Sequence, residues 1–391
     1  MSSETVGGRV RVPVRLDRYL ATIDVPEALS SSTRSLFADH VRTDTDVVGA
    51  LIVVDDGGRI TVDGRQWDGG QDQTVFDQLI YVLLQASLDA DPDRLHLHAG
   101  LVSRSGRGLL IGGHAGCGKS TLVAQLIRAG FDYHTDERVA VDDALVLGPL
   151  PKPLSVVAGS FPVLADFDPT ATGHGVTSPR LWHVPASVIR PGAVRMSPPE
   201  LAGIVLVEYR NGAALESAEM HPITVARVLL ADSIDVDRYG SRGPLLVTRL
   251  CASVPCRSVI HGGGGDVAGF LSGFVSGLDP FVGTEVMPIL ANPDSRPALG
   301  TPAPVNLRSV LGPASGIAGA AAADRALIRT ESGTLVELDE GQTAWFQLLD
   351  GQTALSVLVR EVAESIGVDE HSVGASAVMV LNGLVALGVA A

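Results

Sequence analysis

The stretch Gly113-His-Ala-Gly-Cys-Gly-Lys-Ser-Thr121 matches the pattern G-x-x-x-x-G-K-[ST] of a phosphate-binding loop. An apolar stretch before it, 108–112, predicts a strand, and 120–129 after it predicts a helix that ends at Gly130. Glycines let such a loop wrap around an anion, so that its N–H groups and the helix N-terminus point at phosphate oxygens. Strand, loop and helix together predict a nucleotide-binding α/β fold.

The loop also predicts the nucleotide and metal contacts. Lys119 is expected to bridge the outer phosphates, and Ser120 is expected to offer its hydroxyl to Mg²⁺, so ATP and Mg²⁺ are the predicted cofactors. Cys117 occupies a variable position and is interpreted as a small filler. The predicted nucleotide-binding residues are Gly113, His114, Ala115, Gly116, Cys117, Gly118, Lys119, Ser120 and Thr121.

Two acids follow the next predicted strand. Residues 131–134 lead directly into Thr135-Asp136-Glu137. A strand–helix–strand crossover between parallel strands brings the end of the second strand beside the loop that follows the first. One acid at that edge could accept a proton from an attacking hydroxyl while the other holds Mg²⁺. The alternative is a solvated loop without chemistry.

Four other residues are candidates whose roles the sequence leaves open. His96 and His98 lie two apart on a predicted strand and so share a face, although such a pair is more often structural. Glu208 ends an apolar run and is either a metal partner or an ordinary strand-end glutamate. Lys152 lies between two prolines, which stiffen its backbone, and it could reach phosphate or substrate.

Composition limits the class of partner and the location. The net charge of −15 and the pI near 5.0 argue against nucleic acid. Three cysteines, Cys117, Cys251 and Cys256, without metal-ligand spacing suggest neither a disulfide framework nor a zinc site. The N-terminus lacks a secretory signal, and the apolar stretch 373–391 is interrupted by polar residues and glycines. We therefore expect a cytoplasmic protein without a membrane partner.

The pattern along the chain predicts four segments. Residues 1–90 read as short strands and turns closed by a helix from about 75 to 90, and 91–282 read as the nucleotide-binding domain. Residues 283–323, rich in Pro, Gly and Ala, are interpreted mostly as linker. Residues 324–391 predict a hairpin and three helices, the first with a capping box.

Residues 94–275 resemble the catalytic core of HPr kinase/phosphorylase. The resemblance is carried by His98-Ala-Gly-Leu-Val, Leu109-Leu-Ile-Gly-Gly, the phosphate loop and Thr135-Asp-Glu137. It is closer to the HPr-kinase-like proteins found beside peptide natural-product genes, which Pro151-Lys-Pro-Leu-Ser155 also resembles. The resemblance implies an α/β P-loop core with a variable, β-rich N-terminal part.

The resemblance also implies roles for single residues. Asp136 matches the aspartate that acts as base, and His98 matches a histidine near the phosphates, so the predicted catalytic residues are Asp136, His98 and Lys119. Glu137 stands where HPr kinase has a second aspartate and is, with Ser120, the predicted metal ligand. Thr121 replaces a common glutamate, and an Arg-Gly-Arg-Asn segment has no counterpart. These departures argue against HPr itself as substrate.

The last segment resembles a PqqD-like domain, the winged-helix peptide recognition element of ribosomal peptide pathways. The resemblance is carried by the hairpin 326–338, by Leu338-Asp-Glu-Gly-Gln-Thr-Ala-Trp345, by Leu348-Leu-Asp-Gly-Gln-Thr353 and by the apolar last helix. It implies that a leader peptide adds a strand to a sheet edge. The alternative is a small winged-helix cap that stabilises the kinase or its oligomer.

The sequence therefore predicts a kinase that phosphorylates a hydroxyl of a ribosomally made precursor peptide bound by residues 324–391. Two alternatives stay open. One is a non-catalytic, nucleotide-gated protein that delivers peptides to other enzymes, and the other is a small-molecule kinase. The use of GTP or pyrophosphate instead of ATP, and a possible homo-oligomer, are also left open.

Overall fold

The computed structural model of the chain describes residues 5–6, 8–40, 49–67, 74–178, 180–240, 242–262, 266–277, 281–290 and 304–391. The chain forms two compact units, and each is built from two separate segments. The first unit comprises Met1–Ala218 and Arg257–Asp279, and the second comprises Glu219–Cys256 and Pro280–Ala391.

The N-terminal part of the first unit is a six-stranded sheet in chain order. Its second strand alternates buried valines with exposed arginines, which is the pattern of a sheet covered on one face. The pairs are antiparallel except for the third and fourth strands. The elements are β1 (Thr5–Val6), β2 (Arg9–Leu16), β3 (Tyr19–Pro26), α1 (Glu27–Leu36), β4 (Ala50–Val54), β5 (Ile60–Val62), β6 (Arg65–Trp67) and α2 (Val75–Asp89).

The rest of the first unit contains a second six-stranded sheet and two three-stranded sheets. Its elements are β7 (Leu95–Leu97), β8 (Gly100–Arg104), β9 (Arg107–Gly112), α3 (Lys119–Arg128), β10 (Asp132–Thr135), β11 (Val139–Val141), β12 (Leu147–Pro149), β13 (Leu154–Val157), α4 (Pro169–Thr172), β14 (Val176–Thr177), β15 (Leu181–Val184), α5 (Ala186–Ile189), β16 (Glu200–Tyr209), β17 (Glu216–Glu219), β18 (Cys256–His261) and α9 (Val267–Ser276). The boundary between the units falls within β17 and at the start of β18.

The central sheet has the order β10-β8-β9-β16-β18-β17. The predicted strand–helix–strand unit is present as β9, α3 and β10, but β8 lies between the two strands and is antiparallel to both. β9 and β10 therefore run in the same direction without being neighbours, and α3 packs across β8. The core between α3, α9 and the sheet is aliphatic, with Phe131 and Tyr133 fully buried.

The second unit is a four-stranded antiparallel sheet with helices on both faces. Its elements are α6 (Pro222–Ala231), α7 (Val236–Tyr239), α8 (Arg242–Ala252), β19 (Val286–Leu290), β20 (Ala318–Ala322), β21 (Arg325–Arg329), β22 (Leu335–Leu338), α10 (Glu340–Leu348), α11 (Leu355–Ile366) and α12 (Glu370–Ala386). The hairpin β21–β22 and the three last helices lie where the sequence predicts them. The predicted capping box joins Asp339 and Gln342 at the start of α10.

The helices divide between the two faces of this sheet. Ala326, Ile328 and Leu338 point into a core shared with α10, α11 and α12. On the opposite face, Glu337 accepts hydrogen bonds from Thr224 (2.6 Å) and Arg227 (2.8 Å) of α6. α8 packs on β19, β20 and β21 on that side. The segment Glu219–Cys256, predicted to belong to the nucleotide-binding domain, thus covers the C-terminal sheet.

Two strands, β19 and β20, lie in the stretch 283–323 that is predicted mostly as linker. β20 has the sequence Ala-Gly-Ala-Ala-Ala and is buried throughout. It lacks the β-branched and aromatic residues that signal strands, because helices pack closely over it and leave space only for small side chains. A Cβ on Gly319 would lie 2.2 Å from the carbonyl oxygen of Leu327.

The helices of the described residues include none with both the length and the apolar composition that a membrane span needs. α12, the longest apolar helix of the C-terminal stretch, buries Val373, Ala377, Leu381 and Leu384 in the core of the second unit. Its apolar residues therefore belong to the packed sheet–helix core.

Candidate functional site

The phosphate loop connects β9 to α3. Gly113, Gly116 and Gly118 have φ angles of 139°, 80° and 97°, which favour glycine. A Cβ on Gly113 would lie 2.7 Å from Sγ of Cys117 and 2.8 Å from the carbonyl oxygen of Val207. The loop can therefore keep this path only with glycine at that position. Cys117 is buried beneath it, which agrees with its interpretation as a filler.

Lys119 is the first residue of α3 and is buried. Its Nζ donates hydrogen bonds to the carbonyl oxygens of Gly113 (2.5 Å) and His114 (3.3 Å). The N–H groups of the first turn of α3 have no partners within the helix and point back towards the loop. The ammonium and these donors together suit a polyphosphate, which would replace the carbonyl oxygens as partner of Nζ.

The two hydroxyls that follow Lys119 have different environments. Oγ1 of Thr121 lies 2.5 Å from Oγ of Ser160, so this hydroxyl is tied to the protein. Ser120 is half-buried. His114, Ala115 and Gly116 are exposed at the tip of the loop, where a bound nucleotide can reach their backbone.

The other predicted residues lie at the same edge of the central sheet as the loop. β8 is antiparallel to β9 and β10, so its start faces their ends, and β16 is parallel to β9. His98 immediately precedes β8, Asp136 and Glu137 follow β10, and Glu208 lies near the end of β16. β9 and β10 are two strand spacings apart, about 10 Å. The sheet therefore collects the candidates on one edge.

Asp136 and Glu137 share a buried cation, Lys152. Its Nζ lies 2.9 Å from Oδ1 of Asp136 and 3.0 Å from Oε2 of Glu137. The side chains of Lys152 and Asp136 are each 1% exposed, whereas that of Glu137 is 39% exposed. Lys152 therefore does not extend towards solvent or a phosphate as one sequence-based reading suggested, but neutralises one charge of the acid pair.

Both oxygens of Asp136 accept further hydrogen bonds. The hydroxyl of Tyr133 donates to Oδ1 (3.0 Å), and the backbone N–H of Ser155 donates to Oδ2 (3.4 Å). Burial, and then the negative charge of Asp136, raise the pKa of Tyr133 well above its usual value. Tyr133 therefore keeps its proton, and its two acceptors are this carboxylate (3.0 Å) and the carbonyl oxygen of Lys152 (2.8 Å).

The charges at this site shift the pKa of both Lys152 and Glu137. Burial lowers the pKa of Lys152, but Asp136 and Glu137 outweigh it, so the pKa is raised. Burial raises the pKa of Glu137, but Lys152, His98 and Arg138 together outweigh it, so the pKa is lowered. Lys152 is therefore charged and Glu137 is ionised at neutral pH.

A chain of hydrogen bonds extends from Lys152 to the N-terminus of α2. Nζ of Lys152 donates to Oγ of Ser155 (3.1 Å), which lies 3.3 Å from Nδ1 of His183. Nε2 of His183 lies 2.5 Å from Oδ1 of Asp77, and Asp77 forms a capping box with Thr74. The network thus holds the ammonium of Lys152 through a partner in addition to the acid pair.

The two histidines of the predicted pair have different surroundings. His96 is in β7 and is buried, with Nε2 3.1 Å from Oδ2 of Asp91. His98 follows β7 and is half-buried. The next residue, Ala99, donates its N–H to the carbonyl oxygen of Glu137 (3.1 Å). His98 is thus the one that lies beside the acid pair.

Glu208 forms an ion pair beside the phosphate loop. Its two oxygens accept hydrogen bonds from Nε (2.6 Å) and the terminal nitrogen (2.8 Å) of Arg210. These hydrogen bonds from Arg210, and a smaller contribution from His114, lower the pKa of Glu208. The next residue, Tyr209, donates its N–H to the carbonyl oxygen of Cys117 (3.1 Å), so Glu208 is near the loop, as the role of metal partner requires.

The donors for a magnesium ion are few. Within the described ranges, no group of three or more His, Cys, Asp and Glu side chains could hold a metal. The predicted ligands are the Ser120 hydroxyl and the Glu137 carboxylate. Mg²⁺ is usually bound by one or two carboxylates together with phosphates and waters. This set therefore fits a metal that arrives with a nucleotide.

No protein-family model matches the chain, and no curated protein matches it. Solved structures do match. One is the Hpr(Ser) kinase/phosphatase from Coxiella burnetii, at 15% sequence identity and a TM-score of 0.27. The match covers 46% of this chain and 88% of that chain. A likeness at this TM-score carries no argument about activity, which rests on the residues of the site.

Sequence reasoning missed Tyr133 and Ser155, which contact Asp136, and also His183 and Asp77, which continue the hydrogen bonds from Ser155. One signal in the sequence points to part of this network. Of the 29 Lys and Arg residues in the chain, only Lys119 and Lys152 are lysines. Both are buried, one at the phosphate loop and one at the acid pair. The rarity of lysine elsewhere indicates that these two positions require a compact ammonium, which arginine cannot replace.

Proposed function

We propose that the chain is an ATP-dependent phosphotransferase that acts on a hydroxyl of a ribosomally made precursor peptide. The observation that carries the proposal is that one sheet edge holds both the loop with Lys119 and the carboxylate pair with Lys152. Phosphoryl transfer needs an anion cradle and a nearby proton acceptor, and little covalent chemistry from the protein.

The residues of the site divide the work of such a transfer. The loop N–H groups and Lys119 would hold the phosphates and stabilise the negative charge that develops on them. A carboxylate of the pair Asp136–Glu137 would take the proton of the attacking hydroxyl, with His98 beside it. A bound Mg²⁺ would supply further neutralisation of phosphate charge, held by Ser120 and a carboxylate.

The peptide part of the proposal rests on the second unit. Its sheet ends at β19 on one side and at β22 on the other. Among the described residues no strand pairs with the outer edge of β22, and such an edge presents N–H and C=O groups in a row. A leader peptide adding a strand there is the binding mode that the resemblance to PqqD-like domains implies. Because both units belong to one chain, a held leader raises the effective concentration of the rest of the peptide.

The test uses the full chain, Mg·ATP and the short precursor peptide encoded nearest to its gene. We expect the peptide to gain about 80 Da, the mass of one phosphoryl group, and the gain to be absent with Lys119→Ala. Arg128→Ala at the other end of α3 is the matched control and should leave the gain intact, because its side chain pairs with Asp166 at the surface.

Two other outcomes would change the assignment. Nucleotide-dependent peptide binding without any mass gain would favour the gated delivery protein. ATP turnover on small hydroxyl compounds, with no binding of the peptide, would favour a small-molecule kinase.

A further inference from the structure

Asp136 and Glu137 are neighbours in sequence but differ in their access to a substrate. Asp136 is buried, and its two oxygens are occupied by Lys152, Tyr133 and the N–H of Ser155. Glu137 gives only Oε2 to Lys152 at 3.0 Å, and 39% of its side chain is exposed. Its Oε1 makes no hydrogen bond within the part of the chain that the structure describes. Of the two acids, only Glu137 combines a partly exposed side chain with an oxygen that these hydrogen bonds leave unengaged.

We propose that Glu137 is the catalytic residue that accepts the proton of the attacking hydroxyl, and that Asp136 is a positioning residue held by Lys152. The inference rests on the proposed phosphotransferase function. It moves the role of base from Asp136, where the resemblance implies it, to Glu137, which the resemblance implies as a metal ligand. A general base must lie within hydrogen-bond reach of the proton it removes. The side chain of Asp136 is 1% exposed, so a substrate hydroxyl could reach it only if the residues that bury it moved aside. Glu137 is 39% exposed and is therefore the acid that a substrate can approach without such a movement.

Lys152 fixes the direction of Glu137. The ammonium binds four partners, namely Asp136, the carbonyl oxygen of Pro153 (3.1 Å), Ser155 (3.1 Å) and Oε2 of Glu137 (3.0 Å). With one oxygen anchored, Glu137 loses most of its rotamer freedom, and Oε1 stays outside the ion pair. Holding a reacting group in place in this way lowers the entropic part of the barrier.

The proposed transfer forms one bond at phosphorus, breaks another and releases one proton. The acceptor oxygen forms a bond to the γ-phosphorus of the nucleoside triphosphate, and the bond from that phosphorus to the bridging oxygen breaks. The electron pair of the broken bond stays on the nucleoside diphosphate. The proton of the acceptor hydroxyl moves to Oε1 of Glu137 and leaves to solvent after the products depart.

The first experiment uses the variant Glu137→Gln. It measures the rate of transfer to the precursor peptide and, by calorimetry, the affinity for ADP with and without Mg²⁺. We expect kcat to fall roughly 10²–10⁴-fold, the usual contribution of a general base. The affinity for ADP and its Mg²⁺ dependence should stay as in the wild type. Glu200→Gln, at the exposed start of β16, is the matched control and should change neither quantity.

The second experiment separates the two acids without leaving an unpaired buried charge. Asp136→Asn combined with Lys152→Met removes both members of the buried pair. We expect this variant to keep the KM for ATP and to lose about tenfold in kcat, since misplacement of Glu137 costs less than its removal. A purely structural role of the pair would leave kcat of the folded variant unchanged.

Three results would overturn the inference. Wild-type kcat in Glu137→Gln would show that another group takes the proton. Restoration of its rate by excess Mg²⁺, with weakened Mg²⁺-dependent ADP binding, would show that Glu137 is a metal ligand. A double variant as inactive as Glu137→Gln would return the role of base to Asp136. If the wild type itself transfers nothing, the proposed function fails first, and this inference fails with it.

Discussion

At the scale of single residues, Lys152 is held by charge and hydrogen bonds on every side. Its side chain is 1% exposed, and its ammonium has four partners within 3.1 Å, two of which are carboxylates. A buried ion pair adds little net stability compared with apolar residues, but the loss of one partner leaves the other charge buried and unpaired. The stability of the site therefore depends on both members.

We predict that Lys152→Met lowers the free energy of unfolding by about 3–5 kcal/mol, because the buried carboxyl of Asp136 would lose its cationic partner. The measurement is urea denaturation followed by circular dichroism. Arg195→Met is the control. Arg195 also pairs with an aspartate, Asp132, but 46% of its side chain is exposed, so the loss should be at most about 1 kcal/mol.

The double variant Lys152→Met, Asp136→Asn should recover most of the lost stability, since no buried charge then stays unpaired. A Lys152→Met protein as stable as the wild type would contradict the ion pair. It would mean that the ammonium and the carboxylate do not meet in solution.

The residue scale also shows what the sequence can and cannot predict. The phosphate loop was predictable because its chemistry lies within nine consecutive residues, Gly113–Thr121, and local backbone rules decide it. The contact of Lys152 with Asp136 was not predictable, because the two are distant in sequence and meet only in the folded chain. The two prolines that flank Lys152 indicate only a stiff backbone at that position. Lysine is rarely buried, so its residue type did not predict a buried side chain.

At the scale of secondary structure elements, β8 is the clearest departure from the expected crossover. The sequence predicts a strand before and after α3, and both form. That β8 is antiparallel and lies between them depends on long-range pairing, which periodicity does not encode. β9 and β10 still end at the same edge of the sheet, and His98, which precedes β8, lies at that edge too.

The strand β10 carries a histidine that makes stability depend on pH. Burial lowers the pKa of His134 to about 4, and its Nδ1 has no hydrogen-bond partner within the described residues. Its Nε2 lies 2.8 Å from Oγ of Ser103. Unfolded histidine titrates near 6.5, so between about pH 6.5 and 4 the unfolded chain binds more protons than the folded one.

The free energy of unfolding should therefore fall as the pH falls through that window, by roughly 3 kcal/mol from His134. The contribution of His134 to the free energy of unfolding should be lost completely below about pH 4. His134→Gln should reduce this slope, measured by urea denaturation at several pH values. His174→Gln, at an exposed position, should leave it unchanged. A slope equal to that of the wild type in the His134 variant would show that His134 is not buried in its neutral form.

At the scale of the whole molecule, the second unit joins two distant segments of the chain. The sequence suggests a separate C-terminal module beginning near residue 324. Its helices and hairpin were predictable from apolar periodicity and capping. The cover provided by α6 and α8 was not, because these helices look like a continuation of the nucleotide-binding domain, and β20 lacks strand-forming residues.

A substitution of Leu327 tests whether the face of this sheet that contacts α6 is covered. It is fully buried, and its cross-strand partner is Glu337, which contacts α6. Leu327→Arg should destabilise the second unit by about 4 kcal/mol or more, since a charge would be buried without a partner. Thermal unfolding and solubility are the measurements.

Leu348→Arg is the matched control. Leu348 belongs to α10 but is 39% exposed, so the change should be within about 0.5 kcal/mol. If Leu327→Arg is as soluble and stable as this control, the face of the sheet that carries Leu327 is open to water, and residues 324–391 are a self-sufficient module.

The division of the second unit into two segments also sets an order of events during translation. α6 and α8 emerge from the ribosome before the strands that they cover. The last of these strands, β22, follows α8 by about 80 residues. Synthesis of that stretch takes roughly 4–16 s at ordinary elongation rates. During that interval the faces of α6 and α8 that pack on the sheet have no partner and are exposed to chaperones and to neighbouring nascent chains. Synthesis of the C-terminus therefore completes the fold of a region made much earlier, and a ribosome that stalls after residue 256 leaves that region unfinished.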